Sequence, residues 1–154
     1  MAIRLEKDII ELVEEDKAVK VLATTDKDGV PHVVFKGSLN VDRDGNLVFL
    51  ELLESSRTNS NLVNSIWFKK KVAVSVKSED GRSIQIKGIP VKCHITGPVF
   101  EHYYKIISQR IPDADLAAVW VIEPEEIREE TYKIRKAEEE KNHPLLLHLD
   151  RLAK

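Results

Sequence analysis

The spacing of apolar residues changes period several times along the chain, and each change marks an element. Leu5, Ile9, Leu12 and Val13 fall at i, i+4, i+7 and i+8, one stripe of a 3.6-residue period. They predict an amphipathic helix over residues 3–16. Two runs rich in β-branched residues follow, Val19–Thr25 and Pro31–Val41, on either side of "DKDG". That turn leaves Gly29 free to take a positive φ. A second turn of the same chemistry, "DRDGN" (Asp42–Asn46), leads into "LVFLELL" (Leu47–Leu53). Strands joined in sequence by short polar turns predict an antiparallel meander.

The period then returns to 3.6. In "ESSRTNSNLVNSIWFKKK" (Glu54–Lys71), Leu62, Val63, Ile66 and Trp67 share one helical face, and Ser55, Ser56 and Thr58 are good N-cap residues. Val72, Val74 and Val76 alternate with Ala73, Ser75 and Lys77, a half-buried strand. After "SEDGR", the longest strand runs over Ser83–Thr96. Its apolar residues lie at even positions (Ile84, Ile86), then at odd ones (Ile89, Val91, Cys93, Ile95). A phase slip at Lys87–Gly88 predicts a β-bulge that bends the strand, with Cys93 a buried, inert thiol beyond it.

Val99, Phe100, Tyr103, Ile106 and Ile107 form a further helical stripe, ended by Pro112. "LAAVWVIEP" reads as a strand buried on both sides. The remaining "EEIREETYKIRKAEEEK" is polar with a thin apolar stripe, and "HPLLLHLDRLAK" ends in a leucine cluster. The order has no βαβ rhythm, so the expected fold is mainly β: a six-stranded antiparallel barrel with flanking helices.

Composition narrows the function. The 154 residues are 42% hydrophobic and 32% charged, as in an ordinary globular domain. A net charge near −2 argues against nucleic acid as a partner. The longest apolar runs are about seven residues, far short of the ~20 that a membrane helix needs. "MAIRLEKDII" lacks the apolar core of a signal peptide, so the expectation is a cytoplasmic protein with no membrane partner. Cys93 is the single cysteine, which excludes an intrachain disulfide and a cysteine-based zinc cluster. The five histidines (32, 94, 102, 143 and 148) show no metal-ligand spacing, and no metal is expected. Neither GxGxxG, nor a Walker loop, nor a G-x-S-x-G elbow occurs.

What remains is the first turn of the helix after Glu54. It holds Arg57 and no acid, although a helix N-terminus favours anions by about 0.3–1 kcal/mol. Arg57 offers a fork of donors suited to phosphate oxygens, Thr58 a hydroxyl, Asn61 an amide, and the helix start its free N–H groups. Together they would make a phosphate cradle without a glycine-rich loop. A plain Ser-capped helix with a solvated arginine is the alternative.

In its layout the chain resembles the pyridoxamine-phosphate-oxidase-like family of FMN-binding split barrels, over about residues 5–127. The matching pieces are "VLATTDKDGVPHVV", "GNLVFLELLESSRTNSNLVNS", "KVAVSVKSED", "IQIKGIPVKC" and "AVWVIEPEEI", in that order and spacing. The nearest likeness is to the small FMN-binding proteins of the family. The resemblance implies a split-barrel domain over residues 1–127; the thin apolar stripe and leucine cluster of 128–154 predict a helical extension packed on the barrel or on a dimer partner. It implies a homodimer with FMN between the subunits. Ser56, Arg57 and Thr58 would hold the FMN phosphate, with Asn61 one turn on. Val34, Phe35 and Lys36 would run beside the flavin ring, and Leu50, Glu51 and Leu52 would approach it through their backbone. Lys36 is the candidate for the positive group near flavin N1, and a solvated strand lysine is the other reading.

Two departures weigh against vitamin B6 oxidation. His32 stands where the oxidases carry an arginine, and the C-terminal segment does not match their substrate-holding arginine segment. The implied activity is an oxidoreductase passing hydride through flavin N5 to a small substrate, with no catalytic residue assigned. An electron carrier without its own substrate, and a barrel holding a deazaflavin or haem, are the alternatives. For haem, His94 or His102 would be the axial ligand. Trp67 and Trp120 are expected in core or dimer packing, with Trp120 also able to cover a partner's flavin.

Overall fold

The computed structural model describes residues 1–144. The expected leucine cluster of the C-terminal segment and His148 lie outside these residues. The elements are α1 (Lys7–Glu14), β1 (Val19–Thr25), β2 (Pro31–Phe35), β3 (Asn40–Val41), β4 (Leu47–Glu51), α2 (Arg57–Phe68), β5 (Val72–Lys77), β6 (Ser83–His94), α3 (Pro98–Arg110), β7 (Ala118–Glu129) and α4 (Tyr132–Asn142).

All strands belong to one antiparallel sheet in the order β2-β1-β5-β6-β7-β4-β3, curled as a split barrel. It has seven strands, not six. The predicted strand Pro31–Val41 breaks at Lys36–Leu39, and its two halves lie at opposite edges of the sheet. The predicted meander is therefore absent: β1 pairs with β2, while β3 pairs with β4. The break is tied to both sides. The Lys36 backbone N–H donates to Lys20 O on β1, and the Ser38 hydroxyl reaches the Leu50 backbone on β4.

The main core lies between the inner face of the sheet and α1 and α2. Ile9, Leu12, Val13 and Leu62 pack there with Leu22, Phe49, Val74, Ile84 and Trp120. A second cluster, Val48, Leu50 and Val119 with Ile107 and Leu116, fills the other side of β4 and β7 beneath α3. Burial on both faces explains why "LAAVWVI" lacks alternation.

The bulge at Lys87–Gly88 is present, but its extra residue belongs to the neighbouring strand. Lys87 faces Glu126 and Gly88 faces Pro124, so Glu125 of β7 is unpaired in the ladder. Glycine is required here because a Cβ at position 88 would collide with the Glu123 backbone carbonyl. A second slip follows, with Pro90 facing Ile122 and Lys92 facing Val121, so Val91 is the extra residue of β6. Beyond it the expected burial fails: Val91 and Ile95 are exposed, and Cys93 is an exposed free thiol.

The two tryptophans separate. Trp120 is 1% exposed in the core, which removes it from any role over a partner's cofactor, whereas Trp67 is 78% exposed. On α4 no residue is buried. No helix among the described residues is long and apolar enough to cross a membrane.

Candidate functional site

The start of α2 is held on every side. Ser56 is the N-cap, and its hydroxyl oxygen accepts the Asn59 N–H at 3.0 Å. The same hydroxyl donates to Glu51 Oε2 at 2.7 Å. Glu51 Oε1 accepts the Leu53 N–H at 3.1 Å and lies 3.9 Å from Lys36 Nζ. Trp120 Nε1 donates to Asn59 Oδ1 at 2.9 Å, and Asn61 Nδ2 donates to the Thr24 hydroxyl at 3.0 Å. These bonds join α2 to β4, β7 and β1, and fix the orientation of its first turn.

Glu51 also accounts for the missing acid. Its side chain is 1% exposed, and it brings a carboxylate from β4 to the positive end of α2. Helix and carboxylate stabilise one another without any acid in the helix sequence.

The predicted phosphate residues divide accordingly. Ser56 spends its hydroxyl on Glu51 and Asn59, and Thr58 is buried. Asn61 is buried and engaged with Thr24. Arg57 is exposed. It borders a concavity of about 610 Å³ with Asp26, Lys27, Ser55, Ser60, Asn61 and Asn64. Asn64 Nδ2 is a buried donor with no partner among the described residues. Asp26 is occupied by its own turn, where Oδ1 accepts the Asp28 and Val30 N–H groups. The Val30 N–H, foremost, holds its carboxyl below the usual range, aided by the nearby charges of Arg57 and Lys70.

The predicted ring residues lie elsewhere. Phe35, Lys36, Leu50, Glu51 and Leu52 border a larger cavity of about 810 Å³, closed on its far side by α3. The Leu50 N–H donates to the Ser38 hydroxyl at 3.2 Å, and that hydroxyl donates to Leu50 O at 3.0 Å. Both backbone groups of Leu50 are thus engaged. Lys36 is not a solvated strand lysine, since its side chain is 20% exposed and faces Glu51. Val34 is half-buried on the edge strand β2, between the exposed Val33 and Phe35.

Sequence reasoning missed Lys27, Ser38, Asn59 and Asn64. Asn59 and Asn64 sit in the quoted helix, but nothing in their spacing marks one as a tryptophan's acceptor and the other as an unpaired donor. Lys27 and Ser38 lie in segments read as a turn and as a strand. Of the haem candidates, His94 is half-buried at the end of β6, and His102 is exposed on α3 at the larger cavity. No group of acidic, histidine or cysteine residues among those described could hold a metal ion.

This architecture is the split barrel of the pyridoxamine 5'-phosphate oxidase-like proteins. Individual solved structures share it at low identity. HupZ of Group A Streptococcus superposes with a TM-score of 0.69 at 18% identity, covering 83% of this chain and 95% of that one. A provisionally named pyridoxamine 5'-phosphate oxidase from Lactobacillus delbrueckii gives 0.62 at 22% identity, covering 81% and 93%. An FMN-binding protein from Syntrophomonas wolfei gives 0.65 at 14%, covering 77% and 81%. The names of the neighbours also include an F420 reductase and the haem storage protein of Vibrio cholerae. No family model matches the chain, and no curated protein matches it significantly.

Proposed function

We propose that the chain is an FMN-binding redox protein that receives the flavin phosphate at the start of α2. The observation that carries this reading is the concavity bordered by Arg57, Lys27 and Asn64, whose amide Nδ2 is a buried donor without a partner among the described residues. A buried N–H without an acceptor costs about 1–3 kcal/mol, and an oxyanion would supply the acceptor. Two cations and an amide donor are suited to a phosphate. Because Asn59, Ser56 and Asn61 tie the helix to the sheet, the first turn of α2 is held in place before a ligand arrives.

The flavin, when bound, supplies two-electron redox chemistry. The chain's own part is to hold the phosphate and offer the exposed apolar edge of β2, Val33 and Phe35, to the ring. Activity on a small substrate is the leading expectation, and electron carriage its alternative. The family likeness, with the FMN-binding, reductase and oxidase names among the structural neighbours, supports the redox assignment.

The protein is also proposed to be a homodimer. Large exposed apolar side chains stand on β2 (Val33, Phe35), at Leu53, and on α2 (Trp67, Phe68). Exposed apolar side chains of this size are favoured at protein–protein interfaces. The expected results are a dimer mass by sedimentation equilibrium and a yellow complex with a saturable FMN titration. A colourless protein that ignores added FMN would sink the flavin assignment. A Soret band instead would favour haem, the reading that His102 at the larger cavity supports.

A further inference from the structure

The outer face of α2 carries apolar side chains that the core does not use. On the inner face Thr58, Asn61, Leu62 and Ser65 are buried, and Asn61 bonds to Thr24 on β1. The spacing of Leu62, Val63, Ile66 and Trp67 reads as one apolar face, but only part of it reaches the core. Leu62 is buried, whereas Val63, Trp67 and Phe68 are 42%, 78% and 70% exposed. Val63 and Trp67 stand one turn apart, at i and i+4, with Phe68 next in the chain. Neither aromatic ring borders either of the concavities described above, so both stand on open surface.

Three lysines follow these rings directly, in "IWFKKK". Lys69 caps the end of α2 in the left-handed conformation, with φ 53°. It is the one non-glycine residue with positive φ among those described. Glycine is the usual residue at such a cap, because a Cβ strains the backbone there. A lysine placed in a strained conformation, with its side chain exposed, points to a use for that side chain. Lys70 donates to Asp26 O at 3.3 Å, and its charge and that of Arg57 lie near the Asp26 carboxylate. Lys71 lies 3.4 Å from Glu125. Four cations thus face two acids, a local positive charge on a chain whose net charge is −2.

We propose that the C-terminal end of α2 is a peripheral membrane contact: Trp67 and Phe68 enter the headgroup layer of an anionic bilayer, and Lys69 and Lys70 pair with its headgroups. Tryptophan favours the membrane–water boundary, where one end of the ring is wet and the other apolar. Neighbouring lysines are drawn to the negative surface of an anionic leaflet, and their stems can lie along apolar surface while the ammonium stays in water. A second copy of this chain fits the patch less well, since a two-fold axis would bring the lysines of both copies together. The proposed dimer can form on β2 and Leu53 without it, because α2 is roughly 18 Å long and separates Leu53 from Trp67 and Phe68. A surface contact of this kind needs no spanning helix. It does not rest on the flavin reading.

The test is cosedimentation of the full-length protein with vesicles of phosphatidylcholine alone, and of phosphatidylcholine mixed with an equal part of phosphatidylglycerol. Binding is expected to be at least about tenfold tighter on the anionic vesicles and to fall as salt is raised. Trp67 emission should shift to the blue on binding, since Trp120 is already buried. Joint Trp67→Ser and Phe68→Ser substitution should abolish binding, and Lys69→Glu should weaken it by about fivefold or more. Equal binding to the two vesicles, binding to neither, an unshifted emission, or binding that survives the double substitution overturns the proposal. So does a double variant that sediments as a monomer where the wild type is a dimer, which would assign the rings to the subunit interface. Displacement from the vesicles by soluble glycerol phosphate overturns it as well, by placing the lipid phosphate in the concavity at Arg57. Should the double variant fail to fold, Lys69→Glu and the emission shift decide.

Discussion

Trp120→Ala is expected to destabilise the protein by about 3–5 kcal/mol, the range for removing a large aromatic from a packed core. Trp120 is 1% exposed among the main-core residues, so little of the void can refill. The substitution also strips Asn59 Oδ1 of the indole N–H at 2.9 Å, the bond between β7 and the first turn of α2. Urea denaturation followed by far-UV circular dichroism should show the full loss. Trp120→Phe, which keeps most of the volume, should lose much less. A loss below about 1 kcal/mol for the alanine variant would mean that Trp120 is not packed as described.

The second large effect is expected at Glu51. Glu51→Ala removes the carboxylate that accepts from Ser56 and Leu53 and faces Lys36. Removing one partner of a buried ion pair costs about 3–5 kcal/mol. The 3.9 Å separation and the partial exposure of Lys36 place this case near the lower end. Glu51→Gln keeps an acceptor for the Ser56 hydroxyl, so it should lose less stability and preserve the α2 cap. Equal losses for the two variants in denaturant titrations would show that charge, and not hydrogen bonding, fixes the cap.

Much of this fold is legible in the sequence because its elements obey single periods. The stripe Leu5-Ile9-Leu12-Val13 is buried in full, and Val72, Val74 and Val76 all face the core. Ser56 caps α2 as its position predicts. The misses share a cause, which is that tertiary pairing overrides local alternation. "VVFKGSLNV" reads as one strand, but Lys36–Leu39 carries the chain from one sheet edge to the other. Gly37–Ser38 is the one local signal of this break, and across it the phase changes, since Val33 and Phe35 are exposed while Leu39 is buried. Cys93 follows the apolar phase of its neighbours, yet the extra residue at Val91 leaves it exposed.

The site shows the same division. The acid missing from the first turn of α2 is visible in the sequence, but its replacement by Glu51 from β4 is a tertiary fact. Arg57 keeps the exposure that its proposed role requires, while Ser56 and Thr58 become parts of the scaffold. Lys36, expected beside the flavin ring, borders the larger cavity together with the other expected ring residues Phe35, Leu50, Glu51 and Leu52.

The central claim, that the start of α2 receives the flavin phosphate, is tested most directly by comparing FMN with riboflavin. Dissociation constants should be measured by flavin fluorescence for the wild type and Arg57→Ala. Wild type should prefer FMN, and Arg57→Ala should weaken FMN by about 1.5–3 kcal/mol, roughly tenfold to 150-fold, with riboflavin unaffected. Equal binding of FMN and riboflavin by the wild type, or an FMN affinity indifferent to Arg57→Ala, would contradict the assignment.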